Sequence, residues 1–191
     1  MRIIAGKYRG KKLFSPDTKD VRPTSDRARE SIFNILNSRF SSDYSKYNLL
    51  DIYAGTGAFG FEALSRGFAS VTFIDKNTEN IQKNAKLFPN EQAKINILKA
   101  DATNLPKINK TFDLVFMDAP YSLGLTEKTL LQLVQKNWLS DNVLCIVETQ
   151  KNEELALHES LEIIDERIYG IAKISISLII SLKEISLPSI L

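Results

Sequence analysis

This 191-residue sequence predicts an α/β fold: a Rossmann-like, doubly wound and mostly parallel sheet whose last strand runs antiparallel. Three observations carry that expectation. From about residue 48 onward, strand-like apolar runs alternate with helical patterns, the signature of strand–helix–strand units. The first run, residues 49–53, passes through Gly55, Thr56 and Gly57 into a helical pattern at Ala58, which is how a parallel strand delivers a ligand to a helix N-terminus. The last two strand-like segments, 161–169 and 171–182, are separated by little more than Gly170, and so short a link forces an antiparallel pair.

Each element has its own local signal. Residues 1–13 alternate loosely, with Gly6 and Gly10 as turn or bulge positions, and read as a small β-hairpin presenting cations and a tyrosine. Pro16, Asp17 and Pro23 mark a loop. A helix then begins at Thr24 or Ser25, because Ala28, Ile32, Ile35, Leu36 and Phe40 recur at helical spacing. Residues 41–46 are a polar connector. After the glycine turn, a helix ends near Gly67, a strand over 70–74 finishes on Asp75, and a helix from Asn77 stops at Pro89. Residues 94–99 alternate as a third strand and run into Asp101, while 112–117 is a buried-type strand ending on Asp118. A helix over 125–138, a strand over 143–148 and a short helix over 152–158 precede the antiparallel pair. Two units result: a hairpin arm over 1–23 and a cofactor-binding domain over 24–191.

Composition bounds the chemistry. The apolar and charged fractions, 43% and 25%, are those of a globular protein. One cysteine, Cys145, and one histidine, His158, exclude a disulfide framework and argue against a cysteine- or histidine-based metal site, so no metal is expected. No long apolar segment follows the basic N-terminus, and the greasiest run, 174–182, is short and broken by serines. A cytoplasmic protein away from membranes is the expectation. Charge is uneven: residues 1–30 hold nine basic and four acidic side chains, a net of +5, which leaves −3 for the rest. Such an arm suits a polyanion, although a solvated basic surface with no partner would look the same.

In an open parallel sheet, ligands sit beyond the carboxyl ends of the strands, so Asp51, Asp75, Asp101 and Asp118 should share one cleft. Asp75, twenty positions after Gly55, is placed to accept the hydroxyls of an adenosine ribose, and Asp101 to accept from an adenine amino group. Tyr53, Ala54, Gly55, Gly57, Lys76 and Ala102 are the neighbours that complete the cofactor site. Gly55, Gly57 and Gly60 also spell GxGxxG, so NAD is one candidate. Asp51 tips the balance toward S-adenosylmethionine, because a carboxylate there would repel a pyrophosphate but hold the ammonium of a methionine moiety.

Asp118, Ala119, Pro120 and Tyr121 then suit methylation of an exocyclic amine whose lone pair is delocalised into a ring. A carboxylate and a backbone carbonyl that accept both amino hydrogens aim the lone pair, the proline stiffens the turn, and the tyrosine face can stack on a base. Adenine N6, guanine N2 and a glutamine side chain all remain open to this motif.

With DIYAGTGAFG, Asp75, the Ala100–Asp101 pair and DAPY in order, the chain resembles a class I adenosylmethionine-dependent methyltransferase. RIIAGKYRGKKL and RPTSDRARESIFNIL resemble the RsmD family, bacterial enzymes that modify a guanine N2 in 16S ribosomal RNA. The resemblance implies a seven-stranded methyltransferase sheet with an N-terminal hairpin, Thr24 near the cofactor, and a monomer acting on 16S RNA within an assembling small subunit. Arg2, Lys7, Arg9, Lys11, Lys12, Arg22, Arg27 and Arg29 would grip that RNA. Ala119 departs from the family's double proline, which leaves an idle RNA-binding assembly factor as the rival reading. Residues 184–191 match nothing in the family.

Overall fold

The computed structural model describes residues 1–16, 26–121, 123–156 and 158–179. Seven strands form one sheet in the order β3-β2-β1-β4-β5-β7-β6. They are β1 (Asn48–Ile52), β2 (Ser70–Asp75), β3 (Ile95–Lys99), β4 (Phe112–Asp118), β5 (Leu139–Gln150), β6 (Leu161–Tyr169) and β7 (Ala172–Ile179). The first five pair in parallel, and β7 lies antiparallel between β5 and β6. Chain order reverses direction between β1 and β4, which opens a crevice at their carboxyl ends.

Among the described residues, four α-helices flank the sheet: α1 (Asp26–Arg39), α2 (Ala58–Ser65), α3 (Glu79–Ala85) and α4 (Leu125–Gln135). Residues of α1, α2, α3 and the N-terminal arm bury one face of the sheet around Ile32, Phe33, Phe59, Phe61 and Phe116. The other face packs Leu130, Leu133 and Trp138 against Leu50, Val115 and Cys145. Helix α2 is buried along nearly its whole length, which explains its apolar sequence and the need for Gly60. A Cβ there would stand 2.3 Å from Cε1 of Phe73, so only glycine lets the helix lie this close to β2.

The structure revises several local expectations. Residues 152–156 form no helix; the chain turns and crosses back to β6. Strand β5 is far longer than the 143–148 core, because its ends pair with β4 and β7 and need no apolar side chains of their own. A 3-10 helix, Pro89–Lys94, fills the link into β3. The arm is a hairpin closed by a single bridge, Arg2 to Lys12, and Tyr8 packs edge-on against Phe88 instead of facing outward. Arg22, Thr24, the end of the last predicted strand and residues 184–191 lie outside the described residues. Among those described, no helix is long and apolar enough to cross a membrane, and no group of three or more His, Cys, Asp or Glu could hold a metal.

Candidate functional site

Register brings the strand-end carboxylates to one edge. Asp118 aligns with Glu148, and both stand one residue beyond the row formed by Ile52, Ile74 and Met117. Asp75 ends β2 at the same level. Between them the chain leaves β1 through Tyr53, Gly55 and Gly57, all at positive φ (58°, 56° and 77°), and turns sharply into α2. At Tyr53 this backbone is strained for a side chain, and its hydroxyl is anchored 2.8 Å from Thr129 Oγ1 on α4.

Asp51 is 1% exposed, and its Oδ2 accepts the Gly60 N–H at 2.9 Å, an otherwise unpaired donor of the first turn of α2. Burial drives its carboxyl well above the usual carboxylate range, and the nearby Asp118 and Asp75 push it further. The Gly60 bond opposes this only in part. Asp75 accepts the Gly55 N–H at 2.8 Å and the Asn77 N–H at 2.9 Å, so it braces the glycine turn from the end of β2. Asp101 is held down to about 2 by hydrogen bonds from Lys76 (2.9 Å) and from the hydroxyl and backbone of Thr103. Ala54 joins the turn to β2 through Ile74, and Ala102 is buried beneath Asp101 in sequence.

This cleft is acidic. A pyrophosphate would meet Asp51, Asp75 and Asp118 together, whereas a cationic ligand would relieve the Asp51 carboxyl of its unfavourable ionisation. The donor set therefore fits the ammonium and sulfonium of adenosylmethionine and disfavours a dinucleotide.

At the end of β4, Ala119 is buried, Pro120 exposed and Tyr121 half-buried. The Tyr121 hydroxyl donates to Glu148 Oε1 at 3.3 Å. Burial raises the Tyr121 hydroxyl's pKa, with Glu148 and Asp118 adding to the effect, so it stays protonated as the donor to Glu148. The buried Glu148 escaped sequence reasoning. Its position as another strand-ending carboxylate was the available signal.

The arm's attachment was equally invisible. Glu62, 0% exposed on α2, accepts the N–H groups of Ile4 (2.6 Å) and Ala5 (3.0 Å) and the Nε of Arg66 (2.8 Å). Ser65 accepts the Tyr8 N–H and donates to the Ala5 carbonyl. Asn84 on α3 bonds both backbone groups of Phe14 and donates to the Thr56 carbonyl at 2.8 Å, which ties the arm to the glycine turn. The arm therefore lies on the helix that the cofactor turn begins.

The expected RNA contacts separate into two groups. Arg9, Lys12 and Arg27 are exposed. Arg2 lies 3.7 Å from Asp26, Lys7 pairs with Glu91 at 2.8 Å, and Lys11 donates to the Leu87 carbonyl at 2.9 Å. Arg29 corrects its expectation outright. It is 1% exposed, pairs with Asp26 at 2.6 Å and donates to the Arg2 carbonyl at 3.1 Å, so it pins arm to helix and is closed to RNA.

A glycine turn braced by strand-end carboxylates, a DAPY turn beside it and an antiparallel β7 together define a class I adenosylmethionine-dependent methyltransferase. The 16%-identical NodS N-methyltransferase of Bradyrhizobium japonicum shares this fold at a TM-score of 0.64, over 86% of this chain and 94% of that one. Comparison narrows the class. The family model for Conserved hypothetical protein 95 matches residues 1–178. Ribosomal RNA small subunit methyltransferase D of Haemophilus influenzae is 38% identical over 90% of each chain, and its Escherichia coli counterpart 36% identical over 78% of this chain and 75% of that one. The solved structure of YhhF from Escherichia coli superposes with a TM-score of 0.80 at 32% identity, covering 94% of this chain and 97% of that one. The chain belongs to this family, the RsmD family.

Proposed function

We propose that this protein transfers a methyl group from S-adenosylmethionine to the exocyclic N2 of one guanine in 16S ribosomal RNA, within an assembling small subunit. The observation that carries the reading is the DAPY turn at the end of β4, with Tyr121 tethered to Glu148 and Asp51 across the crevice. The names of the Haemophilus and Escherichia relatives support ribosomal RNA of the small subunit as the substrate. The basic arm, residues 1–23, serves as the RNA-binding unit of a monomeric, cytoplasmic enzyme, with residues 24–191 as its methyltransferase domain.

Asp51 holds the methionine ammonium, Asp75 the ribose and Asp101 the adenine amino group, around a turn shaped by Tyr53, Ala54, Gly55 and Gly57 and flanked by Lys76 and Ala102. Bound there, the cofactor supplies an electrophilic methyl group on a sulfonium. Asp118 and the Ala119 carbonyl accept the two hydrogens of the guanine amine and so direct its lone pair, while Tyr121 stacks on the flipped base. As the new N–C bond forms and the S–CH3 bond breaks, leaving a neutral thioether, the amine would shed its proton, with Asp118 placed to accept it. No stronger base is required.

The test is Asp118→Ala. Methyl transfer to small-subunit RNA should drop by roughly a hundredfold or more while adenosylmethionine affinity measured by calorimetry holds. Retained activity would refute the assignment. Mass-spectrometric mapping of the modified nucleotide separates guanine N2 from adenine N6, and methylation of a protein glutamine would overturn both. The rival reading, an idle assembly factor, draws on Ala119; it would bind RNA and leave it unmethylated.

A further inference from the structure

We propose that the groove between the start of α1 and the β6–β7 turn is a second RNA-contact surface, which takes a ribonucleotide adjoining the one being methylated. The inference rests on the reading of this chain as an RNA methyltransferase; that reading already counts Arg27 among the RNA contacts, while Ser31, Ile168, Tyr169 and Gly170 are new to it. Arg27 and Ser31 on α1 face Ile168, Tyr169 and Gly170 across a cavity of about 580 Å³, large enough for a nucleotide.

Its place in the fold puts it at the same edge of the sheet as the acceptor end of the crevice. Glu148, which holds Tyr121, aligns with Ile174, and two residues further on Gln150 aligns with Ala172. The turn at Gly170 thus stands at the carboxyl edge of the sheet, just past the Tyr121–Glu148 pair. RNA laid along this edge from Tyr121 toward the turn would meet the groove.

Its chemistry fits a nucleotide. Ile168 and Ile171 are 55% and 58% exposed, two large apolar side chains flanking one turn. Such residues serve nucleic-acid binders as wedges against an unstacked base. Arg27 is exposed and makes no ion pair among the described residues, since Asp26 is engaged by Arg29 and Arg2. Its guanidinium can pair with a phosphate in a fork geometry. The wall is set by a hydrogen bond between Ser31 and the Tyr169 hydroxyl. Of the carboxylates on β6, Asp165 pairs with Arg167 at 3.1 Å, and Glu166 accepts from Ser175 with Lys173 3.7 Å away; the exposed Glu30, beside Ser31 on α1, adds one negative charge at the rim.

The experiment is Ile168→Glu with Ile171→Glu, combined in one full-length variant, measured against a 16S RNA fragment and against small-subunit particles. Both side chains lie mostly in solvent, so melting temperature and adenosylmethionine affinity should match the wild type. RNA affinity should fall by roughly tenfold or more, as for loss of one packed base, with kcat at saturating RNA unchanged. A photo-crosslinker at position 171 should attach to RNA. If the wild type is active and the variant binds the fragment equally well, the groove is refuted and the proposed function stands. Weakening confined to protein-bearing particles would also refute it, in favour of a protein contact. If the wild type itself neither binds nor methylates small-subunit RNA, the functional reading falls and the groove with it.

Discussion

Replacing Glu62 by glutamine should detach the arm from the cofactor helix. The fully buried carboxylate satisfies three donors: the Ile4 N–H at 2.6 Å through Oε2, and the Ala5 N–H at 3.0 Å and Arg66 Nε at 2.8 Å through Oε1. A glutamine carbonyl in the place of Oε1 keeps the last two, without charge assistance. Its amide then confronts the Ile4 N–H donor to donor. Leaving one buried N–H unpaired costs about 1–3 kcal/mol, and weakening the largely buried pair to Arg66 adds about 1–2 kcal/mol. For a chain of this size, a loss of about 2–5 kcal/mol lowers the melting temperature by roughly 5–15 °C. Calorimetry or a circular-dichroism melt measures the first effect. Filter binding with a 16S RNA fragment measures the second, since an arm released from α2 no longer presents its cations in one orientation. A variant with unchanged melting temperature and unchanged RNA affinity would refute the docking argument.

Asp51→Asn should fold as well as the wild type or better, because asparagine still accepts the Gly60 N–H and sheds a carboxyl that burial makes costly to ionise. Its adenosylmethionine affinity should drop by roughly 10–100-fold in calorimetry, the worth of a charged hydrogen bond; an unchanged affinity would remove Asp51 from the cofactor site. Arg9→Glu with Lys12→Glu, two exposed cations, should weaken RNA binding and flatten its dependence on salt by about one to two units of log–log slope, whereas an unaltered slope would deny the arm its role. Acid should loosen the arm as well. Burial of Glu91 opposes its ionisation, yet hydrogen bonds from Lys7, Tyr8 and Lys94 prevail and hold it to about 2. A group depressed in this way contributes stability above its ordinary value of about 4.5 and loses it as the pH falls toward about 2. The melting temperature should therefore decline through that window, and less steeply in Lys7→Ala; equal slopes would contradict the pairing.

Much of this was legible in order along the chain. Alternating apolar runs and helical spacing are local signals, so the parallel strands, the glycine turn and the carboxylate at each strand end could be read directly, as could the antiparallel pair around Gly170. Of the expected helix over 152–158, the described residues 152–156 turn and run open instead, with Leu155 packed on the core, and the ends of β5 were missed because ladder pairing, not side-chain pattern, extends them. Arg29 reads first as an RNA contact in a basic segment, with pairing to a nearby carboxylate as the alternative, and its pair with Asp26 bears out that alternative.

By itself, the sequence pointed to a strand-end crevice, to a cationic cofactor over a pyrophosphate, and to the DAPY turn as the proposed acceptor site. Those depend on residues a few positions apart, whose spacing the backbone alone converts into a shared edge. Only the tertiary structure decided that Glu148 steadies Tyr121, that Glu62 and Asn84 bind the arm to the cofactor turn, and that Arg29 faces inward. Glu62 and Ile4 lie 58 residues apart, and Asn84 and Phe14 lie 70 apart. Such partners are chosen by the need to satisfy every buried polar group once the helices have packed, and no local pattern records that choice.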